Sequence, residues 1–303
     1  MAIEQPAVAR PMQFVATEGQ TRSRRLVGKY GGKVLSYVVL TVMAFISLFP
    51  FFWMVSTSLK GRGQIFVWPP KAIPDPIVWE NYSTVFEIAP FERYVLNTLF
   101  YTSAVTIGQL VFCSLAGFAF ARLRFPGRDP LFLLYLGTLM IPHTVTLVPS
   151  FILMRWFHWV DTIWAMTIPG MLGGAFGTFL MRQFFLTIPA ELDDAATVDG
   201  ASRFRIYWEI NLPLAKPALA VLAVFTITYV WNDYLWPLIM LNNRDLYTVT
   251  LGLAAFRGGI QSQTYWAELM AGAAMAVAPL IIIFIFTQRF FTAGISLTGT
   301  GGR

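Results

Sequence analysis

Charge and reactive side chains are scarce in this chain. Only 13% of its 303 residues are charged, against about a quarter in ordinary soluble domains. A single cysteine, Cys113, excludes an internal disulfide, and two histidines exclude a histidine-rich metal centre. No GxxxxGK[ST] phosphate loop occurs, so nucleotide binding of that kind is excluded. No Ser–His–Asp set or carboxylate pair presents itself, and His143 and His158 are expected at different membrane depths. Strict apolar–polar alternation is also missing, which argues against a membrane β-barrel.

What fills the chain instead is apolar. Hydrophobic residues make up 56% of it, and the mean hydropathy is +0.60. Several runs exceed the roughly 20 residues that a helix needs to cross a bilayer. The expected fold is all-α: a polytopic membrane protein with six transmembrane helices. The spans are expected at Leu35–Ser58, Val95–Ala121, Leu131–Met154, Asp161–Phe185, Pro217–Leu241 and Ala267–Phe290. Residues 1–33 read as a cytoplasmic, partly disordered tail, 34–294 as the membrane domain and 295–303 as a cytoplasmic tail. The first apolar run follows a long polar leader and is itself long, so it reads as a permanent span rather than a signal peptide.

Six spans leave both termini on one side. With the termini inside, fifteen Lys and Arg fall in inner segments and seven in outer ones, and that bias favours cytoplasmic termini. The net charge of +6 is thus a topology signal, not a sign of nucleic-acid binding. Trp53, Trp156, Trp159, Trp164, Trp231, Trp236 and Trp266 all fall near outer span ends, as in an interfacial aromatic belt. "GMLGGAFG" (Gly170–Gly177) and "AGAAMAVA" (Ala271–Ala278) space small residues as close-packed membrane helices do.

One long polar segment interrupts this pattern. "ELDDAATVDGASRFRIYWEINLP" (Glu191–Pro213) holds five of the sixteen acidic residues. Pro189 and the acids Glu191, Asp193 and Asp194 suit a helix start, and Gly200 suits a helix end. Ser202 can cap a second helix on which Phe204 and Trp208 share a face. Pro213 is expected to end it. Interfacial helices favour basic polar faces, so the acidic first helix points to a protein partner. Its acids read as surface groups, each worth under about 1 kcal/mol.

Asp194-Ala195-Ala196, then Gly200, then Ile210-x-Leu212-Pro213 resembles the EAA signature of permease subunits of ABC importers, with Asp194 in place of the usual Glu. "LFPFFWMVSTSLK", "MIPHTVTLVPSFILMRWFHWVDTIWAMTIPG", "FLMRQFF", "VWNDYLWPLI" and "TQRFFTAG" extend the resemblance to the carbohydrate-uptake branch, namely the smaller six-span permease of maltose-type transporters, over about Val34 to Gly294. The end "ISLTGTGGR" departs from that family's usual tail. The resemblance implies a second permease, two cytoplasmic ATPases that bind ATP with Mg, an extracytoplasmic sugar-binding protein, a sugar substrate and a lipid membrane of the prokaryotic inner type. This chain is then no enzyme and holds no cofactor. Docking to the ATPase falls to Glu191, Asp194, Ala195, Ala196, Asp199, Gly200, Ile210, Leu212 and Pro213.

Toward the outer side, Asp233 is expected about 24 Å along the fifth span, with Tyr229 and Asn232 beside it. An intramembrane acid suggests function, as a sugar contact or, preferred here, as a helix pin or gate. His143 beside Pro142 either lines the pathway or bonds a carbonyl freed at the proline. A secondary transporter or channel without an ATPase is the alternative, and a membrane enzyme a more distant one. The substrate stays open among oligosaccharide, monosaccharide and glycerol phosphate. The topology is checked with Ser202→Cys in sealed vesicles: a membrane-impermeant thiol reagent labels it from the cytoplasmic face, and labelling from the opposite face overturns the assignment.

Overall fold

The computed structural model describes residues 18–257 and 265–299, and among them every regular element is helical. Residues 1–17 and 300–303, parts of the two expected tails, lie outside the described residues. The helices are α1 (Glu18–Ser58), α2 (Glu80–Ile88), α3 (Phe91–Arg122), α4 (Arg128–Gly137), α5 (His143–Trp156), α6 (Ile163–Met171), α7 (Ala175–Thr187), α8 (Glu191–Val198), α9 (Arg203–Arg205), α10 (Leu212–Leu214), α11 (Lys216–Trp231), α12 (Leu235–Met240), α13 (Val249–Arg257) and α14 (Trp266–Gly299). A π-helical turn, Ile206–Asn211, lies between α9 and α10. Two units are distinct: residues 1–53, whose described part is α1 up to Trp53, and residues 54–303. In the first, nearly every described side chain is exposed, as befits an apolar helix that lipid would cover.

Among the described residues, four helical stretches are long and apolar enough to cross a membrane, and six if two bent pairs each count as one. The third expected span is such a pair. It bends by 99° between residues 128–140 and α5. The cause is Pro142, which lacks an N–H and drives Ile141 out of the helical region to ψ 114°. The fifth is also not one straight helix. Residues 203–214 meet α11 at 76°, and α11 stops at Trp231, with Asn232–Tyr234 irregular before α12. The fourth expected span is α6 plus α7, which together qualify as a single crossing.

The long α3 is the spine of the second unit. Its glycines let other backbones come close. A Cβ added at Gly117 would lie 2.7 Å from Met181 Cβ and 2.9 Å from the Arg182 backbone nitrogen, and one at Gly108 would overlap Met171. Across the same seam Gly177 faces Cys113 Sγ at 2.6 Å from such a Cβ. This is small-residue packing of the kind that lipid-embedded helices need, because lipid gives them little hydrophobic drive to associate. The "GMLGGAFG" pattern marked one half of that seam; the isolated Gly108 and Gly117 completed it without a motif of their own.

Two of the tryptophans expected in the outer belt are buried instead. The Trp231 indole N–H donates to the Ala276 carbonyl (3.1 Å) and the Trp236 indole to the Ala165 carbonyl (3.0 Å). They pin α11 to α14 and α12 to α6. Trp156 and Trp164 are exposed, as belt residues are. On the segment after α1, Lys60 is buried, and desolvation lowers its ammonium pKa; its carbonyl accepts a hydrogen bond from Asn81 Nδ2 (3.0 Å).

Gly117→Ala is expected to cost about 1–3 kcal/mol by overpacking, since the obstacles are a Cβ and a backbone nitrogen. Gly177→Ala should cost less, because the Cys113 and Leu222 side chains can give way. Thermal unfolding of the purified variants in detergent ranks the two; the reverse order refutes the seam.

Candidate functional site

The segment Glu191–Pro213 forms a compact joint. Its first helix, α8, turns Asp193 and Ala196 inward and leaves Glu191, Leu192, Asp194, Ala195 and Val198 exposed. The chain reverses at Gly200, whose φ of +83° is a left-handed conformation that costs an L-residue with a Cβ about 1–2 kcal/mol. Ser202 Oγ then caps the next helix by accepting the Arg205 N–H (3.3 Å).

The second helix does not end at Pro213, as expected, but at Leu214. Proline offers no N–H and its ring crowds the carbonyl four residues back. The chain accommodates it by widening the preceding turn: Ile206–Asn211 is π-helical, and the Leu212 N–H donates to the Tyr207 carbonyl five residues earlier. Such single wide turns recur at functional sites. Phe204 and Trp208 stack with ring centroids 6.4 Å apart, and both are exposed.

The expectation that the acids are surface groups fails at Asp193. Only 7% of this residue is exposed. Arg122 Nε, in the last turn of α3, lies 3.4 Å from Asp193 Oδ2, and Asn211 Nδ2 donates to Asp193 Oδ1 at 2.7 Å. Arg122 Nη2 also donates to the Ile188 carbonyl (2.5 Å). A second tie, between the Ser114 and Tyr207 hydroxyls (2.7 Å), joins the middle of α3 to the π turn. Around these bonds pack Phe118, Met181, Phe185, Ala196, Ile206 and Tyr207, with Ile210 and Leu212 at the edge.

The expected docking residues therefore divide. Glu191, Asp194, Ala195, Asp199, Gly200 and Pro213 are exposed, while Ala196, Ile210 and Leu212 face inward and hold the joint's shape. Arg122, Asp193 and Asn211 were not singled out by sequence. Asp193 carried one usable signal: it lies three residues before Ala196, on the same helical face.

At the other end, Asp233 sits in the break between α11 and α12, not inside a helix. Its Oδ1 accepts the Trp236 N–H (3.3 Å), and Tyr101 Oη on α3 donates to Oδ2 (3.3 Å). Asn232 Nδ2 donates to the Thr228 carbonyl (2.8 Å). His143 is brought near by an edge contact to Trp236, centroids 6.2 Å apart. His143, Tyr229 and Asn232 are exposed in the chain as it stands, and Asp233 is half-buried. A clasp joins two distant loops: Asp161, at φ +62°, accepts the Asn242 and Asn243 N–H groups at 2.9 and 2.8 Å. No group of three or more potential metal ligands occurs among the described residues.

Apolar helices with broken crossings, polar side chains at the breaks and a polar two-helix joint define a helical membrane-transport component. Residues 109–297 match the family described as binding-protein-dependent transport system inner membrane component. The sn-glycerol-3-phosphate transport system permease protein UgpE of Yersinia pestis bv. Antiqua (strain Antiqua) is 31% identical over 88% of this chain and 96% of its own length. The arabinooligosaccharides transport system permease protein AraQ of Halalkalibacterium halodurans is 33% identical over 86% of this chain and 93% of its own. A crystal structure of a bacterial ABC transporter involved in the import of the acidic polysaccharide alginate aligns with a TM-score of 0.78 at 25% identity, covering 89% of this chain and 98% of that one. The chain belongs to the binding-protein-dependent transport system inner membrane component family: it is a permease subunit of an ABC importer.

Asp193→Ala is expected to destabilise the chain by about 3 kcal/mol, since it strands the buried Arg122 guanidinium and the Asn211 amide. Asp193→Asn, which keeps an acceptor for Asn211, should cost less. Thermal unfolding in detergent checks both, and a wild-type melting temperature for Asp193→Ala refutes the knot.

Proposed function

We propose that this chain is one of two permeases in an ATP-driven sugar importer of the prokaryotic inner membrane. It crosses the membrane six times, with both termini and the Glu191–Pro213 joint in the cytoplasm. Two ATPase subunits hydrolyse ATP with Mg beneath the permease pair, and each engages one permease joint. An extracytoplasmic binding protein delivers the substrate. A sugar substrate is supported by the relative named for arabinooligosaccharides and by the alginate importer, and the relative named for sn-glycerol 3-phosphate keeps a glycerol phosphate as the alternative.

The observation that carries the reading is the joint's two-sided build. Its inner side is tied to α3 by buried polar bonds. Its outer side presents Val198, Phe204 and Trp208, all exposed, among Glu191, Asp194 and Asp199. Exposed apolar side chains rimmed by charge mark a protein contact. A cleft on an ATPase that grips this surface moves α8, and the rigid tie passes the movement to α3. Alternating access then needs the crossings to change their packing at the far end. The Tyr101–Asp233–Trp236 bonds support a role there as a gate pin, because they tie α3 to the break between α11 and α12.

Gly200→Val tests the joint. No atom lies within 4 Å of a Cβ at this position, so the cost inside the chain is backbone strain alone. The variant should insert normally yet lose most ATPase co-purification and most binding-protein-dependent uptake. Wild-type association and uptake would reduce the segment to an ordinary surface loop.

A further inference from the structure

Between α1 and α2 the chain presents an apolar surface that the reading above does not use. Phe66, Trp68 and Ile73 are 79%, 89% and 76% exposed, and Val67, Ile77 and Trp79 are exposed near them in sequence. Charge is sparse here: Lys71 and Asp75 are the charged residues of 65–77. A built loop holds these side chains out. Pro69, Pro70, Pro74 and Pro76 each fix a φ angle. The Gln64 side chain closes the loop: its Oε1 accepts the Asp75 N–H (3.2 Å) and its Nε2 donates to the Asp75 carbonyl. The Val78 N–H then returns to the Leu59 carbonyl (2.9 Å).

One bond gives the loop its level. Ser56 Oγ donates to the Ala72 carbonyl (2.5 Å). Ser56 lies two residues before the end of α1 at Ser58, about 3 Å along the helix axis. The stretch that ends there, Gly32–Ser58, is long and apolar enough to cross a membrane. The loop thus folds back to the level at which that crossing ends, and Ile73 follows Ala72 directly. Exposed apolar surface marks a contact with protein or with membrane. Indole and phenyl rings at the end of a crossing are the composition of the bilayer interface, where they sit among the headgroups. The level of the loop and its few charges therefore favour lipid.

We propose that residues 65–77 form an interfacial anchor, seated in the headgroup layer of the bilayer by Phe66, Trp68 and Ile73. The anchor also reaches the last crossing. Phe66 meets the Trp266 ring edge-on, centroids 6.0 Å apart. The Arg62 guanidinium lies over the Tyr265 ring at 5.1 Å, and its Nη2 is 3.5 Å from Glu268 Oε1. Seating the loop in lipid therefore holds the end of α1 and the start of α14 at one level. That this is the outer leaflet rests on the cytoplasmic placement of the joint proposed above.

The test is site-directed spin labelling of the purified full chain in nanodiscs of phosphatidylethanolamine and phosphatidylglycerol. Nitroxides at Val67→Cys and Ile73→Cys are compared with one at Glu87→Cys, an exposed charged position of α2. Cys113 is fully buried, and the parent chain treated alike supplies the background. The labels on the loop are expected to collide mainly with oxygen, which dissolves in lipid, and the label on α2 mainly with a water-soluble nickel chelate. Adding Trp68→Ser/Ile73→Ser should shift the Val67→Cys label to nickel collisions, with circular dichroism verifying the fold. Nickel collisions on the loop equal to those on α2 overturn the proposal and leave the surface to a protein partner. So does an unshifted Val67→Cys label in the folded serine variant. The two single labels decide the matter even where the serine variant fails to fold. Nanodiscs are open on both faces, so depth is read whichever side the loop occupies. Failure here leaves the permease reading standing, whereas Ser202→Cys labelling from the wrong face overturns the topology and leaves the anchor.

Discussion

A guanidinium and a carboxylate, both nearly out of water, organise the polar end of this molecule. Arg122 and Asp193 are each about nine-tenths buried at their side chains. Desolvating such a pair costs several kcal/mol per ion, and the attraction offsets that only where the remaining donors and acceptors are met. Asn211 and the Ile188 carbonyl meet part of that need, while Arg122 Nε and Asn211 Oδ1 make no hydrogen bond among the described residues. A hydrophobic replacement of similar shape would hold the parts together about as well, so stability alone does not explain the arrangement. What charge adds is registration: the Arg122–Asp193 pair ties the end of α3 to α8 at one defined contact.

That registration sits beside deliberate weakness. The π turn at Ile206–Asn211 and the 76° bend after Leu214 lie just before α11. A 99° bend near Pro142 separates residues 128–140 from α5. Regular backbone bonding resumes at once beyond the π turn, where the Ala215 N–H donates to the Asn211 carbonyl at 2.9 Å. The joint thus adjoins the unbroken α3 on one side and segmented helices on the other.

Much of this was legible in the sequence, and the misses have a common cause. Apolar runs mark the candidate crossings, because lipid imposes a one-dimensional rule on composition. Gly200 was legible because its left-handed turn is a local demand of the backbone. Asp193 was not, because an acid in the first turn of a helix looks alike whether it meets water or a buried arginine seventy-one residues earlier in the chain. Trp231 and Trp236 were misassigned for a similar reason: an indole at a span end suits the interface, and only the carbonyls of Ala276 and Ala165 reveal that it is a pin. Pro142 and Pro213 announced disturbance but not its form, one a sharp bend and the other a widened turn. The signature residues Ala196, Ile210 and Leu212 point inward, so the motif records the shape of the joint as much as its contact surface.

The exposed His143, Tyr229 and Asn232 carry a consequence for biogenesis. Lipid solvates imidazole, phenol and carboxamide groups poorly, so a chain inserted without a covering subunit presents that face to acyl chains and gains nothing from it.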